Sequence, residues 1–286
     1  MYKKFPKTIM YWHENQFEYP NKKAHYIGFK ELHNFISSDI NIFNSEFHKQ
    51  DFYKKANKEI NKFGLDSLTS VLDEKYDLSL VVYPGFDIEN INTIKINKEI
   101  TKRSTKYSPI ILWNHRWSKD KDYFMFFSMM RHLKKNKYNF KLNIFGEAVI
   151  INNDDFINFK KQMGNYINKF GFLDSKNQYY EEILKSDIVI STAIEENFGI
   201  SMVESMYLGL TPVLPNRLSY PELTPKEFHK KVLYNSYDEA ISNIKNILDN
   251  KTYLNLSEYM KIYDIRKSVY KFDKIIESII DIASFH

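Results

Sequence analysis

Short apolar runs of strand length alternate with longer segments of helical period along most of the chain. Residues 8–12, 39–43 and 78–83 read as strands, with helices predicted between them over 22–36 and 47–63, and Pro84-Gly85 closes the third strand. From Asp87 to Lys106 the text turns polar, rich in Asn, Ile, Lys and Thr, with no strand and no strong helical stripe, and a domain boundary is placed there. The alternation then restarts, with strands predicted at 109–113, 140–145, 169–173, 188–190 and 211–214 and helices at 123–134, 155–167, 177–185 and 199–208. The tail, 257–282, carries Met260, Ile262, Tyr263, Ile265, Val269, Phe272, Ile275, Ile276 and Ile279 at the spacing of one or two closing helices. Such alternation predicts an α/β protein with parallel sheets covered by helices. Two sheets are implied, one in residues 1–106 and one in 107–286.

The composition narrows the setting. A chain of 286 residues with 43% hydrophobic and 27% charged residues is long enough for one large domain or two sharing a cleft. With no cysteine there is no disulfide framework, thiolate nucleophile or cysteine zinc site, which fits a reducing, cytoplasmic setting. No apolar run approaches the roughly 20 residues that span a bilayer, and the first residues lack a signal-peptide core. The net charge of +5 is weak evidence for a nucleic-acid partner, because Lys-rich, Asn-rich text also suits a solvated surface.

The chemistry concentrates in residues 191–215. A buried strand leads through an acidic loop into a helix starting near Gly199, and Phe198-Gly199 lets the backbone approach a ligand where helix N–H groups and the dipole favour an anion such as phosphate. Glu204 stands in the first turns of that helix and leans back toward its start, while Glu196 sits in the loop, able to accept from a polyol's hydroxyls. Two carboxylates around a phosphate-attracting helix end suit a nucleotide sugar. With Gly209 and Pro212-Val213, the Glu-x7-Glu spacing resembles the donor motif of the retaining glycosyltransferases of family 4, whose fold is the two-domain GT-B. The resemblance implies that Glu196 contacts donor-sugar hydroxyls, that Glu204 binds the ribose, and that Asn197, Phe198, Gly199 and Ile200 complete the donor contacts. It also implies that Arg116 and Lys121, which follow the strand at 109–113, neutralise the donor diphosphate without a metal ion or a further cofactor. Lysines at 119 and 121 would equally suit a solvated face.

Further positions follow from the same family. His13 ends the first strand where the family carries a His near donor sugar and acceptor, and Glu14, Asn15 and Gln16 follow it; Asn44-Ser45 and Pro84-Gly85 end the next two strands, where simple turn chemistry is the alternative. Gly146 and Phe172 occupy strand ends that the family places near the nucleotide base. A narrower set, His13-Glu-Asn-Gln-x-x-Tyr-Pro20, Trp113-x-His-Arg-Trp117 with Asp120-Lys-Asp122, and Pro215-x-x-Leu-Ser-Tyr-Pro-Glu222, resembles the glycosyltransferases that mannosylate the queuosine base of tRNA. That narrower likeness implies GDP-mannose as donor and tRNA as acceptor; a UDP-sugar enzyme of the cell envelope and a non-catalytic nucleotide-sugar or RNA-binding module are the alternatives. Family members carry further strands ahead of the one ending in the family His, so the first domain is expected to be incomplete, and a homodimer or a partner chain to complete it.

Overall fold

A computed structural model of the chain describes residues 6–17, 24–97, 108–147 and 154–284. The chain divides into two compact units, Met1–Gly85 with Arg266–His286, and Phe86–Ile265. The boundary expected near residue 106 lies outside the described residues.

The first unit contains β1 (Ile9–Trp12), α1 (Ala24–Ser37), β2 (Ile40–Phe43), α2 (Glu46–Lys62), α3 (Thr69–Leu78) and β3 (Leu80–Val81). Its three strands are parallel and pair in sequence order. The Ser45 hydroxyl caps α2 by accepting from the His48 N–H, and Phe52, Ala56 and Ile60 form a buried stripe at four-residue spacing. Rings of Trp12, Phe35 and Phe52 meet there, with centroids 4.7 Å apart for Trp12–Phe52 and 4.8 Å for Phe35–Phe52. The strand expected over 78–83 shrinks to two residues. Leu78 belongs to the last turn of α3, and Ser79 turns the chain into extended geometry, so the apolar run straddles a helix end and a short strand. The C-terminal helix, Ile265–Ser284, contributes its greater part to this unit: Phe272 packs on Tyr11 at 5.2 Å, and Ser268 Oγ donates to the Tyr83 carbonyl at 2.7 Å.

His48 makes this unit acid-sensitive. Burial, opposed in part by Asp51, pulls its pKa from 6.5 down to about 4. Between pH 6.5 and 4 the unfolded chain therefore binds a proton that the folded chain refuses, and stability falls as pH drops through that window. We expect about 2 kcal/mol less stability at pH 5 than at pH 7.5 from this residue, read from urea unfolding. His48→Asn, whose amide can still donate to Asn44, should flatten that dependence.

The second unit runs α4 (Ile88–Asn97), β4 (Ile110–Asn114), α5 (Tyr123–Lys135), β5 (Lys141–Phe145), α6 (Asp154–Met163), β6 (Ile167–Gly171), α7 (Lys176–Leu184), β7 (Ile188–Ile190), α8 (Ile200–Tyr207), β8 (Thr211–Pro215), α9 (Tyr220–Leu223), α10 (His229–Val232), β9 (Leu233–Tyr234), α11 (Tyr237–Asn250) and α12 (Ser257–Met260). Its six parallel strands lie in the order β6-β5-β4-β7-β8-β9. The chain thus winds outward from β4 in one direction, then returns to β7 and winds in the other. Ligands of such sheets bind at the carboxyl ends of the two strands flanking that reversal, here β4 and β7. The core beneath is aromatic, with Trp117 stacked on Phe156 at 4.2 Å and Phe127 on Phe159 at 3.9 Å.

Several elements differ from expectation. The polar stretch after Asp87 holds α4, whose buried apolar residues among those described are Ile88, Ile91 and Ile94, a narrow stripe among Asn and Lys. Strand β6 starts at Ile167, because Gly164, at φ +56°, helps end the preceding helix early. Neither β9 nor α11 was anticipated, although α11 carries a capping Ser236 and a buried stripe through Ala240, Ile244 and Ile247. Asp264, in extended geometry, separates α12 and the turn after it from the C-terminal helix.

Candidate active site

The loops after β4 and β7 meet at the reversal of strand order and bind each other through several hydrogen bonds. The Asp120 carbonyl accepts from the N–H groups of Ile194 (2.8 Å) and Glu195 (3.2 Å). Trp113 Nε1 donates to Thr192 Oγ1 (3.3 Å), which donates in turn to the Lys121 carbonyl (2.7 Å). Lys121 is 7% exposed. Its ammonium donates to the Glu195 carbonyl at 2.6 Å and lies 3.1 Å from Asp120 Oδ2 and 3.4 Å from Glu196 Oε2. Lys121 and Glu196, separated by 75 positions in sequence, are therefore an ion pair.

Arg116 is the contrasting cation. Both flanking tryptophans of its motif are core residues, Trp113 fully buried and Trp117 stacked on Phe156, so the turn between them is rigid and presents Arg116 outward. The Arg116 side chain is 59% exposed and faces Asp120 at 3.9 Å. A surface pair at that length contributes little to stability and leaves most of the guanidinium's donors open to a ligand.

On the β7 side, Gly199 caps α8 at φ +91°, a conformation that favours glycine, and a side chain there would approach the Tyr220 ring at 3.2 Å. The residues behind it lock the acidic loop: Ser219 Oγ donates to the Phe198 carbonyl at 2.7 Å, Arg217 holds the Ala193 carbonyl at 3.1 Å, and the Tyr220 and Ser191 hydroxyls bond at 2.7 Å. Phe198 is buried against Tyr263, at 5.4 Å between rings, so its side chain supports the loop from the core side. Asn197 is half-buried, and Ile200 stands at 36% exposure on the first turn of α8. Glu204 is 6% exposed, and its Oε1 accepts from the Tyr180 hydroxyl at 2.6 Å with Lys176 Nζ at 3.7 Å. Burial raises the Glu204 carboxyl pKa, while the Tyr180 hydrogen bond and the Lys176 charge oppose that rise. Gly146, at the end of β5, lies directly under the His115 carbonyl, and Phe172, after β6, is 62% exposed.

In the first unit the expected residues divide. His13 is exposed at the end of β1, its ring edge-on to Tyr11 at 4.7 Å. Asn15 donates to Asp51 at 2.9 Å, and Gln16 donates through its side chain to Glu14 and through its N–H to Glu31, both at 2.8 Å. Burial pushes the Glu31 carboxyl up to about 7. Asn44 donates to the His13 carbonyl at 2.8 Å and lies 2.9 Å from His48 Nδ1, while Ser45 is fully buried as the α2 cap. Asn44 and Ser45 thus hold the loop together, and His13 and Glu14 are the residues it presents.

Residues 95–265, more than half of the chain, match the family model described as "Glycosyl transferases group 1". The chain belongs to the group 1 glycosyl transferases. Residues 2–86 match a second model, "tRNA-queuosine alpha-mannosyltransferase N-terminal". A curated relative, the tRNA-queuosine alpha-mannosyltransferase of Drosophila melanogaster, is 29% identical over 252 residues, covering 84% of this chain and 64% of the relative. The chain thus spans just under two-thirds of that relative's length. Among solved structures, a sucrose-phosphate synthase from Thermosynechococcus elongatus aligns with a TM-score of 0.68 at 10% identity, over 96% of this chain and 68% of that one. Anabaena HepE in complex with UDP-glucose aligns at 0.66 and 15% identity, over 94% and 72%. The fold of this family member is therefore GT-B-like, a mixed α/β architecture with parallel sheets. Among the described residues no helix is long and apolar enough to cross a membrane.

The sequence reading missed Tyr180, Asp120 and Asn114. Asn114 donates to Tyr179 at 2.8 Å and to Ser205 at 3.1 Å, tying α7 and α8 to the end of β4. Asp120 stood inside a quoted motif without a role. Tyr180 carried no local signal, because its partner Glu204 lies 24 residues away on another helix.

Proposed function

We propose that this protein is a retaining glycosyltransferase that moves a hexose, read as mannose from GDP-mannose, onto the queuosine base of tRNA. The observation that carries the reading is the convergence, at the strand-order reversal, of exposed Arg116, the Lys121–Glu196 pair, the Gly199 helix start and buried Glu204. The donor half of the reading rests on that cluster. The acceptor half rests on the match of residues 2–86 and on the Drosophila relative.

The chemistry follows from the charges. An acceptor hydroxyl attacks the anomeric carbon from the face that the diphosphate is leaving. The new C–O bond forms as the bond to the phosphate oxygen breaks, its electron pair goes to the nucleoside diphosphate, and the acceptor proton passes to that oxygen. No protein base is required. Charge grows on the leaving phosphate, where Arg116 and the N–H groups that open α8 can stabilise it. Lys121 already has three acceptors, so it joins by exchanging one of them for a phosphate oxygen. Glu196, fixed by Lys121, orients the sugar hydroxyls, and Glu204 accepts from the ribose.

Thermal stabilisation by GDP-mannose, GDP, UDP-glucose and UDP tests the donor, because a ligand at 100 times its Kd stabilises by about 2.7 kcal/mol. A shift by the guanosine ligands alone, lost in Glu204→Ala, is the expected result, followed by labelled-sugar transfer to queuosine-containing tRNA. A shift confined to the uridine ligands would overturn the donor assignment. Tyr180→Phe should raise the donor KM about tenfold while kcat changes less than threefold, since the hydroxyl holds one oxygen of Glu204 and touches no reacting atom.

A further inference from the structure

Residues 123–146 contain five Lys and Arg and residues 156–173 contain three, and neither stretch contains an Asp or Glu, although the chain has 36. The fold brings both stretches to one edge of the second unit. Arg131 Nε on α5 donates to Gln162 Oε1 at 2.7 Å, Lys134 Nζ donates to the Gln162 and Met163 carbonyls, and Lys141 Nζ donates to the Asn165 carbonyl at 2.5 Å. These cations therefore lean on the end of α6, where Lys160 and Lys161 are exposed. Lys135 and Lys137 are exposed in the turn between α5 and β5. Aromatic faces lie among them, with Lys134 over Tyr166 at 5.4 Å and Lys160 over Phe170 at 5.0 Å. Among the described residues, Lys169 is the member of the group that pairs with a carboxylate, Glu182, at 2.8 Å. Two other carboxylates reach these stretches through tyrosines instead of cations: Asp249 accepts from Tyr138 at 3.2 Å and Asp155 from Tyr123 at 3.1 Å. Most surface lysines of a mixed-charge protein have acidic neighbours; here seven cations share an edge with carbonyls and rings.

We propose that this edge, formed by the end of α5, the α5–β5 turn and the end of α6, grips the phosphate backbone of the RNA whose base is the acceptor. The proposal rests on the tRNA reading above and extends it to the surface that holds the RNA. Charge complementarity selects the partner: a row of Lys and Arg that, among the described residues, faces carbonyls and rings instead of carboxylates suits a polyanion recognised by its backbone, which positions the molecule while the active site reads the base. The geometry supplies the path. Helix α5 starts two residues after Lys121 in the donor cluster and, being 13 residues long, ends about 20 Å away at the basic edge at 1.5 Å per residue. An RNA stem whose loop enters the donor cluster would run along that helix and place its phosphates on Lys135, Lys137 and Lys161.

The test is binding of queuosine-containing tRNA by the full chain and by the triple variant Lys135→Glu/Lys137→Glu/Lys161→Glu, measured between 50 and 200 mM salt (roughly the range in which phosphate contacts dominate). All three side chains are exposed and remote from the donor cluster, so donor-induced thermal stabilisation should match wild type and report an intact fold. We expect affinity to fall at least about tenfold and the slope of log affinity against log salt to shrink by about 1 for each reversed lysine. If wild type binds and glycosylates the tRNA and the variant binds with the same affinity and slope, this surface is overturned and the functional reading stands. If wild type neither binds nor glycosylates tRNA, both fall.

Discussion

Arg116→Ala should lower transfer by about 10²- to 10³-fold and leave the melting temperature within a degree or two of wild type. The two halves of that expectation come from the same observation. A guanidinium that is 59% exposed and, among the described residues, pairs with a carboxylate only at 3.9 Å contributes little to the folded protein. In the proposed reaction the transition state depends on it, because charge develops there on the leaving diphosphate. Lys121→Ala is the instructive contrast. Lys121 is buried, and its removal leaves Asp120 and Glu196 without their shared cation, so stability and turnover should fall together. Steady-state transfer rates and melting curves of the two variants separate a residue that acts on substrate from one that also builds the site. Unchanged transfer in Arg116→Ala would remove Arg116 from the reaction.

How far the sequence reaches depends on how local the cause is. The strands β4, β7 and β8 are buried and largely apolar runs, and their alternation with helices was legible because burial on both faces leaves a near-continuous hydrophobic text. The strand order β6-β5-β4-β7-β8-β9 was not legible, and it is this order that turns two distant motifs into one site. Arg116 and Glu196 were singled out as candidates from their motifs, but the Lys121–Glu196 pair exists only because β4 and β7 are neighbours. The same limit hid Tyr180, whose role depends on α7 lying beside α8. The motif tryptophans add a further case. Trp113 and Trp117 carry no assigned role in the sequence, and the structure places both in the core on either side of Arg116. Asn44 and Ser45 were open to either reading, ligand contact or turn chemistry, and in the structure they cap α2 and hold the His13 loop.

Gly146→Ala should be among the most damaging single-atom additions to this protein, costing about 3–5 kcal/mol by urea unfolding. Gly146 sits at φ +149°, and a Cβ there would fall 1.9 Å from the His115 carbonyl oxygen and 3.0 Å from Trp117 Cδ1. Relief requires backbone movement. His115 is 4% exposed beside Trp113, and Trp117 N–H donates to the Glu147 carbonyl at 2.9 Å, so the segment that must move is tied on both sides. That segment carries Arg116, so any protein that does fold should also lose transfer. Gly164→Ala provides the control. Gly164 also has positive φ, at +56°, but a Cβ there meets nothing within 4 Å, and the substitution should cost only the conformational penalty of about 1–2 kcal/mol. The excess loss in Gly146→Ala reads the clash with the 115–117 turn together with the less accessible backbone of Gly146, at φ +149° against +56°. Equal losses would mean that the 115–117 turn yields easily, and the rigid presentation of Arg116 inferred from its two buried tryptophans would then be wrong.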